Sequence, residues 1–205
     1  MKEGSDRNFL LILLGIYLAE FAVCSVAPYQ RSVWLAENTV AAVTVLALAL
    51  MRWRGIRFSR TAWLLMAGWV WLQTLGGHYT FERVPFDWIT EFLGAERNHF
   101  DRLCHFWVGL FAWPALELIE ERKLCLNRFA AVFFVVMSIF GFAAIFELIE
   151  WIYAEIADPS SGTAFLGSQG DIWDAQKDML ADGLGAIASS TVYCLCRRPD
   201  RKVES

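Results

Sequence analysis

Gly170-Asp171-Ile172-Trp173-Asp174-Ala175-Gln176-Lys177-Asp178-Met179-Leu180-Ala181-Asp182-Gly183 carries four aspartates straight into an apolar segment that ends at Cys196. On a helix at about 100° per residue, Asp171, Asp174, Asp178 and Asp182 fall near 60°, 0°, 40° and 80°, a single acidic stripe. Eleven residues separate Asp171 from Asp182, or about 16 Å of helix. A stripe of this kind is costly wherever water is scarce, so its meaning depends on where the segment lies relative to a membrane.

The rest of the chain answers that question. Its 205 residues are 57% hydrophobic with ten tryptophans and a mean hydropathy of +0.40, and the apolar residues fall into near-continuous runs. That is the pattern of a polytopic membrane protein. An all-α bundle of six transmembrane helices is expected, over about residues 9–27, 34–51, 61–77, 103–119, 129–152 and 175–196, as one membrane domain. Glu20 interrupts the first run and no cleavage box follows, so it reads as an uncleaved helix.

Basic residues set the expected orientation. With the N-terminus inside, cytoplasmic segments hold Lys2, Arg7, Arg52, Arg54, Arg57, Arg60, Arg122, Lys123, Arg128, Arg197, Arg198, Arg201 and Lys202. The other side holds Arg31, Arg83, Arg97, Arg102 and Lys177, so thirteen stand against five and both termini are expected in the cytoplasm. The lipid bilayer is therefore the expected partner, and no basic patch with interleaved aromatics points to nucleic acid. The odd count of five cysteines shows no zinc-finger spacing.

The outer links are the longest. Trp88, Ile89, Phe92 and Leu93 share a helical face, as in a short helix lying on the membrane surface. The stretch from Asp158 to Gly170 reads as a turn-rich loop that folds back over the bundle mouth. Trp34, Trp88, Trp107, Trp151 and Trp173 are expected near the outer interface, with Trp53, Trp63 and Trp113 near the inner one. Glu117-Leu118-Ile119-Glu120 recurs as Glu147-Leu148-Ile149-Glu150, but at opposite ends of the bundle, so the two copies cannot serve one site.

With this topology the ionisable residues collect toward the outer side. Asp101 and His105 are one turn apart, Glu147 and Glu150 three residues apart, and Asp178 and Asp182 descend into the last span. Carboxylates and neutral imidazoles from several helices are the ligand set of Zn, Mn or non-haem Fe. Asp101, His105, Glu147, Asp178 and Asp182 are the expected ligands of a divalent ion, with His78, Asp171 and Asp174 supporting them. Glu150 is the candidate general base. The same cluster suits a proton relay, or polar contacts that only hold helices together. Three functions follow: a metal-dependent enzyme acting on an envelope or lipid substrate, a small homo-oligomeric proton- or cation-coupled transporter, and a structural membrane protein.

Asn98-His99-Phe100-Asp101-Arg102-Leu103-Cys104-His105-Phe106, Phe146-Glu147-Leu148-Ile149-Glu150-Trp151 and the block from Phe165 to Met179 resemble the YjdF-like family of bacterial inner-membrane proteins. The resemblance spans nearly the whole chain. It implies a multi-pass inner-membrane location and weight on Asp101, His105, Glu147, Glu150, Asp171, Asp174 and Asp178, and it carries no reaction with it. A fainter likeness is to VanZ-type membrane proteins, linked to glycopeptide resistance. It rests on Asp101 to His105, Glu147, and Asp178 to Gly183, with Asp182 where that pattern has Asn.

Overall fold

The computed structural model describes residues 3–92, 94–157 and 159–197, and every regular element in them is helical. Lys2, Leu93, Asp158, Arg198, Arg201 and Lys202, used in the expectations above, lie outside the described residues. The long helices are α1 (Glu3–Cys24), α2 (Arg31–Trp53), α3 (Arg60–Tyr79), α5 (Phe100–Gly109) with α6 (Ala112–Arg122), α7 (Arg128–Ile156) and α9 (Asp174–Cys196). Two short helices, α4 (Asp87–Phe92) and α8 (Pro159–Leu166), belong to the links before α5 and before α9.

Among the described residues, five stretches are long and apolar enough to cross a membrane: Asp6–Cys24, Arg31–Trp53, Phe100–Arg122, Arg128–Ile156 and Asp174–Cys196. Six were expected. The difference is α3, which has the length but not the hydropathy, because it carries Gln73, Thr74, His78 and three glycines. Those residues are tolerated because α3 is enclosed: Met66, Gly68, Trp69, Val70, Gln73 and Thr74 are all buried against its neighbours.

Packing runs laterally as α3, then α5 and α6, then α9, then α7, with α1 and α2 leaning on α3. The tightest contact is between α5 and α9. At that crossing two glycines remove the side chains that would hold the helices apart. A Cβ on Gly185 would collide with the Phe106 carbonyl, and one on Gly109 would sit 2.5 Å from the Ala186 nitrogen. Backbone approach of this kind is how membrane helices gain dispersion energy when hydrophobicity no longer drives association.

The span from Phe100 to Arg122 is broken at Leu110 and Phe111. Pro114 is the cause, since it has no N–H to offer the Leu110 carbonyl four residues earlier. The Trp113 N–H takes that carbonyl at 3.1 Å and the Ser189 hydroxyl of α9 donates to it at 3.2 Å. The freed acceptor is thus satisfied within the bundle, as it must be in hydrocarbon.

The half of the bundle nearer the end of α9 is a core of Ala112, Trp113 and Leu116 from α6, Val135 and Ile139 from α7, and Tyr193 from α9. Below it Glu117 accepts from the Ser59 N–H (2.9 Å), the Trp113 indole (2.9 Å) and Arg197 (2.8 Å). Glu120 accepts from Arg128 (2.8 Å) and the Tyr193 hydroxyl (2.7 Å). These bonds staple α6, α7 and α9 together, far from the second copy of the repeat. Trp53, Trp88, Trp151 and Trp173 are exposed, as a membrane belt requires. Trp34, Trp107 and Trp113 are not belt residues: Trp34 and Trp113 are buried, and Trp107 is half-buried with its indole donating to the Leu65 carbonyl at 2.8 Å.

On the other side, α8 occupies what the sequence suggests is loop. Ser161 accepts from Gln30 at 2.7 Å and lies 2.7 Å from the Ser32 hydroxyl, tying α8 to the start of α2. The expected fold-back over the mouth is therefore made by a helix. In α4, Trp88 and Phe92 are exposed, matching the expected surface helix.

The α5–α9 crossing yields a direct test. Gly185→Ala should lower stability by about 1–3 kcal/mol, the range for overpacking. Gly141→Ala, where a Cβ meets nothing within 4 Å, should have no such cost. Chemical unfolding in detergent compares the two variants.

Candidate functional site

The α5–α9 crossing sets Asp101, Arg102 and His105 of α5 against the acidic register of α9. α5 begins where the Phe100 N–H donates to the Asn98 side chain at 2.9 Å, and its first two turns carry Asp101, Arg102 and His105. α9 begins at Asp174, so Asp174, Asp178 and Asp182 recur every four residues along one face, and all three are buried. Asp182 lies eight residues into that helix, about 12 Å along it. Glu147 and Glu150 come from α7.

His105 is the centre. Its Nδ1–H donates to Asp182 Oδ2 at 2.9 Å. The other ring nitrogen, Nε2, lies 3.7 Å from Asp101 Oδ1 and 3.9 Å from Glu147 Oε1. Asp101, His105 and Asp178 each offer a ligand atom within 4.8 Å of the others'. Donor atoms around one ion at about 2.1 Å stand roughly 3–4 Å apart, so these side chains would have to draw in slightly to hold a small divalent cation. Two of the surrounding oxygens, Glu147 Oε1 and Asp182 Oδ1, are buried with no hydrogen-bond partner among the described residues. Buried oxygens are rarely left so, and both belong to this cluster.

A cavity of about 250 Å³ reaches the cluster. Its polar wall holds Asp101, His105, Asp182, Glu150, Glu37 and Gln73, and its apolar wall includes Phe142, Phe146 and Ile149 of α7. Glu37 is fully enclosed and accepts from the Gln73 amide at 2.7 Å. Phe165 of α8 and Gly167 form part of the lining toward the outer links.

Above the cavity two arginines hold the upper aspartates. Arg102 donates to Asp178 Oδ1 at 2.9 Å and to Asp174 Oδ1 at 2.5 Å. Arg97 reaches the same Asp174 oxygen at 2.6 Å and the Ser168 carbonyl at 3.2 Å. Gln169 and Asn98 exchange two hydrogen bonds at 2.9 and 3.0 Å. The link before α5 and the link before α9 are thereby one structure. Asp171 accepts from Lys177 at 2.6 Å and from the Trp173 N–H at 3.1 Å, and the Lys177 ammonium holds its carboxyl below the usual range. His99, at the start of α5, has its imidazole pushed down by burial and by Arg97 and Arg102.

Asp101, His105, Glu147, Asp178 and Asp182 are gathered as expected, with Glu150 on the same cavity. Two supporting residues are placed otherwise. His78 does not join the cluster: its Nδ1–H donates to the Cys24 carbonyl at 2.9 Å, and it ties α3 to the end of α1. Asp171 is not on the helical stripe, because the chain turns through Gln169 (φ 50°) and Gly170 (φ 83°) before α9 starts. Arg97 and Arg102 are the members that charge counting along the sequence overlooks. Arg102 had a signal, since it is adjacent to Asp101 and one turn of helix puts it beside the same partner helix.

A family model described as "Predicted membrane protein (DUF2238)" matches residues 9–199. The chain is 33% identical over 174 residues to the "Inner membrane protein YjdF" of Escherichia coli (strain K12), covering 84% of this chain and 81% of that protein. No solved structure matches it.

The Asp171 contact makes stability of the outer link depend on pH. A carboxyl held below its unfolded value of about 3.9 contributes fully above that pH, and the contribution is lost as pH falls through the folded value. Hydrogen exchange at the Trp173 amide, corrected for intrinsic rate, should show protection that declines below about pH 4. Lys177→Met should flatten that decline, and equal profiles in the two proteins would show that the ammonium is not its cause.

Proposed function

The chain belongs to the DUF2238 family of membrane proteins, and we propose that it is a metal-dependent enzyme of the bacterial inner membrane acting on a lipid or lipid-linked envelope substrate. In this reading α3 is the sixth crossing, both termini face the cytoplasm and the cavity opens on the outer side. The 20 residues of α3 span about 30 Å, enough for the hydrocarbon core. Its relative from Escherichia coli is an inner-membrane protein by name, which supports the location.

One observation carries the proposal: three donor side chains from two helices converge within 4.8 Å, around an imidazole whose other nitrogen is taken by Asp182. A carboxylate on Nδ1–H sets the tautomer and leaves the Nε2 lone pair for a metal. Asp101, His105 and Asp178 would hold a divalent ion such as Zn, Mn or Fe. Glu147, with its unpartnered oxygen, completes the set, and Asp182 orients the histidine. Asp178 can ligate while still accepting from Arg102, because a carboxylate has two oxygens. When bound, such an ion supplies an activated water. Glu150 on the cavity wall would be the group to accept a proton there, Glu37 and Gln73 would meet polar groups of the substrate, and the α7 side chains would receive its apolar part.

The transporter alternative needs a polar path across the bundle. Beneath the cavity lie Trp113, Leu116, Val135, Ile139 and Tyr193, all buried and closely packed. That dry layer favours chemistry on one side over passage.

Metal analysis of protein purified in detergent without a histidine tag tests the reading. The wild type should hold close to one ion per chain, and His105→Ala essentially none. Asp182→Asn should keep the site but weaken metal affinity by about 10–100-fold, as loss of an orienting partner does. No stoichiometric metal in any wild-type preparation, or equal metal in His105→Ala, removes the proposal.

A further inference from the structure

The acidic cavity uses only one end of α2 and α3. Arg52 lies fifteen residues along α2 from Glu37, or about 22 Å away, and there the molecule has a second, differently built recess. α1 and α2 both rest on α3, and near their outer ends Phe21 lies 5.5 Å from Trp34. Toward the opposite end a groove of about 180 Å³ lies between them, lined by Leu13 and Leu14 of α1, Leu48 and Ala49 of α2, and Ala67 and Trp71 of α3. Arg52 is the one charged residue in its lining.

The groove does not stop at Arg52. It shares Leu10, Arg52 and Trp63 with a smaller recess of about 60 Å³, which adds Asp6, Arg57 and Arg60. Three arginines therefore meet one aspartate at the mouth of an apolar channel. Asp6 is already engaged by Arg60 at 3.2 Å. The Arg52 guanidinium makes no hydrogen bond or ion pair with any described residue. An unpaired guanidinium closing an otherwise uncharged groove matches one kind of molecule: an anion with a hydrocarbon tail.

We propose that this groove and recess bind an anionic phospholipid, with an acyl chain between α1 and α2 and the headgroup phosphate on Arg52. Lipid chains of either leaflet can wet any helix surface. What sets this place apart is the continuity of an apolar slot with a pocket lined by three arginines at headgroup height. Arginine suits the role because its planar fork pairs two phosphate oxygens at once. The site is independent of the metal reading and would persist if that reading failed.

Native mass spectrometry of the full chain, released from micelles doped with dioleoyl-phosphatidylglycerol or dioleoyl-phosphatidylcholine, tests it. The wild type should retain phosphatidylglycerol in preference, and Arg52→Gln should weaken that retention roughly fivefold, the worth of one basic residue at an anionic surface. Ala49→Trp fills the groove from an exposed position and should weaken retention of both lipids. The wild-type preference should also fall with added salt, a readout that needs no variant. Equal retention of the two lipids, unchanged phosphatidylglycerol binding in Arg52→Gln, or the same protection against thermal unfolding from inorganic phosphate alone overturns the proposal.

Discussion

Everything distinctive in this bundle depends on how closely α5 and α9 approach. Gly109 and Gly185 let the two backbones touch, and that contact sets the height at which the side chains above it meet. One turn up, it puts His105 against Asp182. Two turns up, it lets Arg102 span Asp174 and Asp178. A wider crossing would leave the lower aspartates facing hydrocarbon, at a cost of about 2.5–3.5 kcal/mol each even on the lenient insertion scale. The glycines thus make the acidic face of α9 tolerable, although they carry no functional group.

The two ends of the molecule then divide between different tasks. Glu117 and Glu120 spend their oxygens on a backbone amide, an indole, a phenol and two arginines. Glu147 and Asp182 each keep one oxygen without a partner among the described residues. The same dipeptide-flanked Glu pair is therefore fully satisfied at one end and left open at the other. Satisfaction builds a rigid staple, while unmet valence is what a site for an ion or a substrate requires.

Much of this was legible in the residues. Four-residue spacing placed Asp174, Asp178 and Asp182 on one face, and the apolar runs placed all the long helices, α3 included. α3 falls short of a spanning hydropathy because burial among neighbours lets a helix carry Gln73 and Thr74 that lipid would reject. The extrapolated stripe failed at Asp171 because two consecutive residues with positive φ turn the chain before the helix begins. His78 was misplaced because a carbonyl at the end of α1 offers it a bond that no linear pattern records. Arg97 and Arg102 were counted as markers of sidedness, yet their guanidiniums neutralise the aspartates opposite. Pairing across helices seventy residues apart is invisible to periodicity, which speaks only of neighbours on one helix.

The chain order of these elements bears on how the molecule is made. α9 is the last long helix of the chain and the one with three aspartates, whereas α5, with its histidine and arginine, is synthesised some seventy residues earlier. Domains assemble from the N-terminus during synthesis. An acidic segment unable to lodge comfortably in lipid by itself therefore emerges toward cations already in place, and its insertion and its docking become one event. Until α9 arrives, Arg102 and His105 lack the carboxylates that pair with them in the finished bundle.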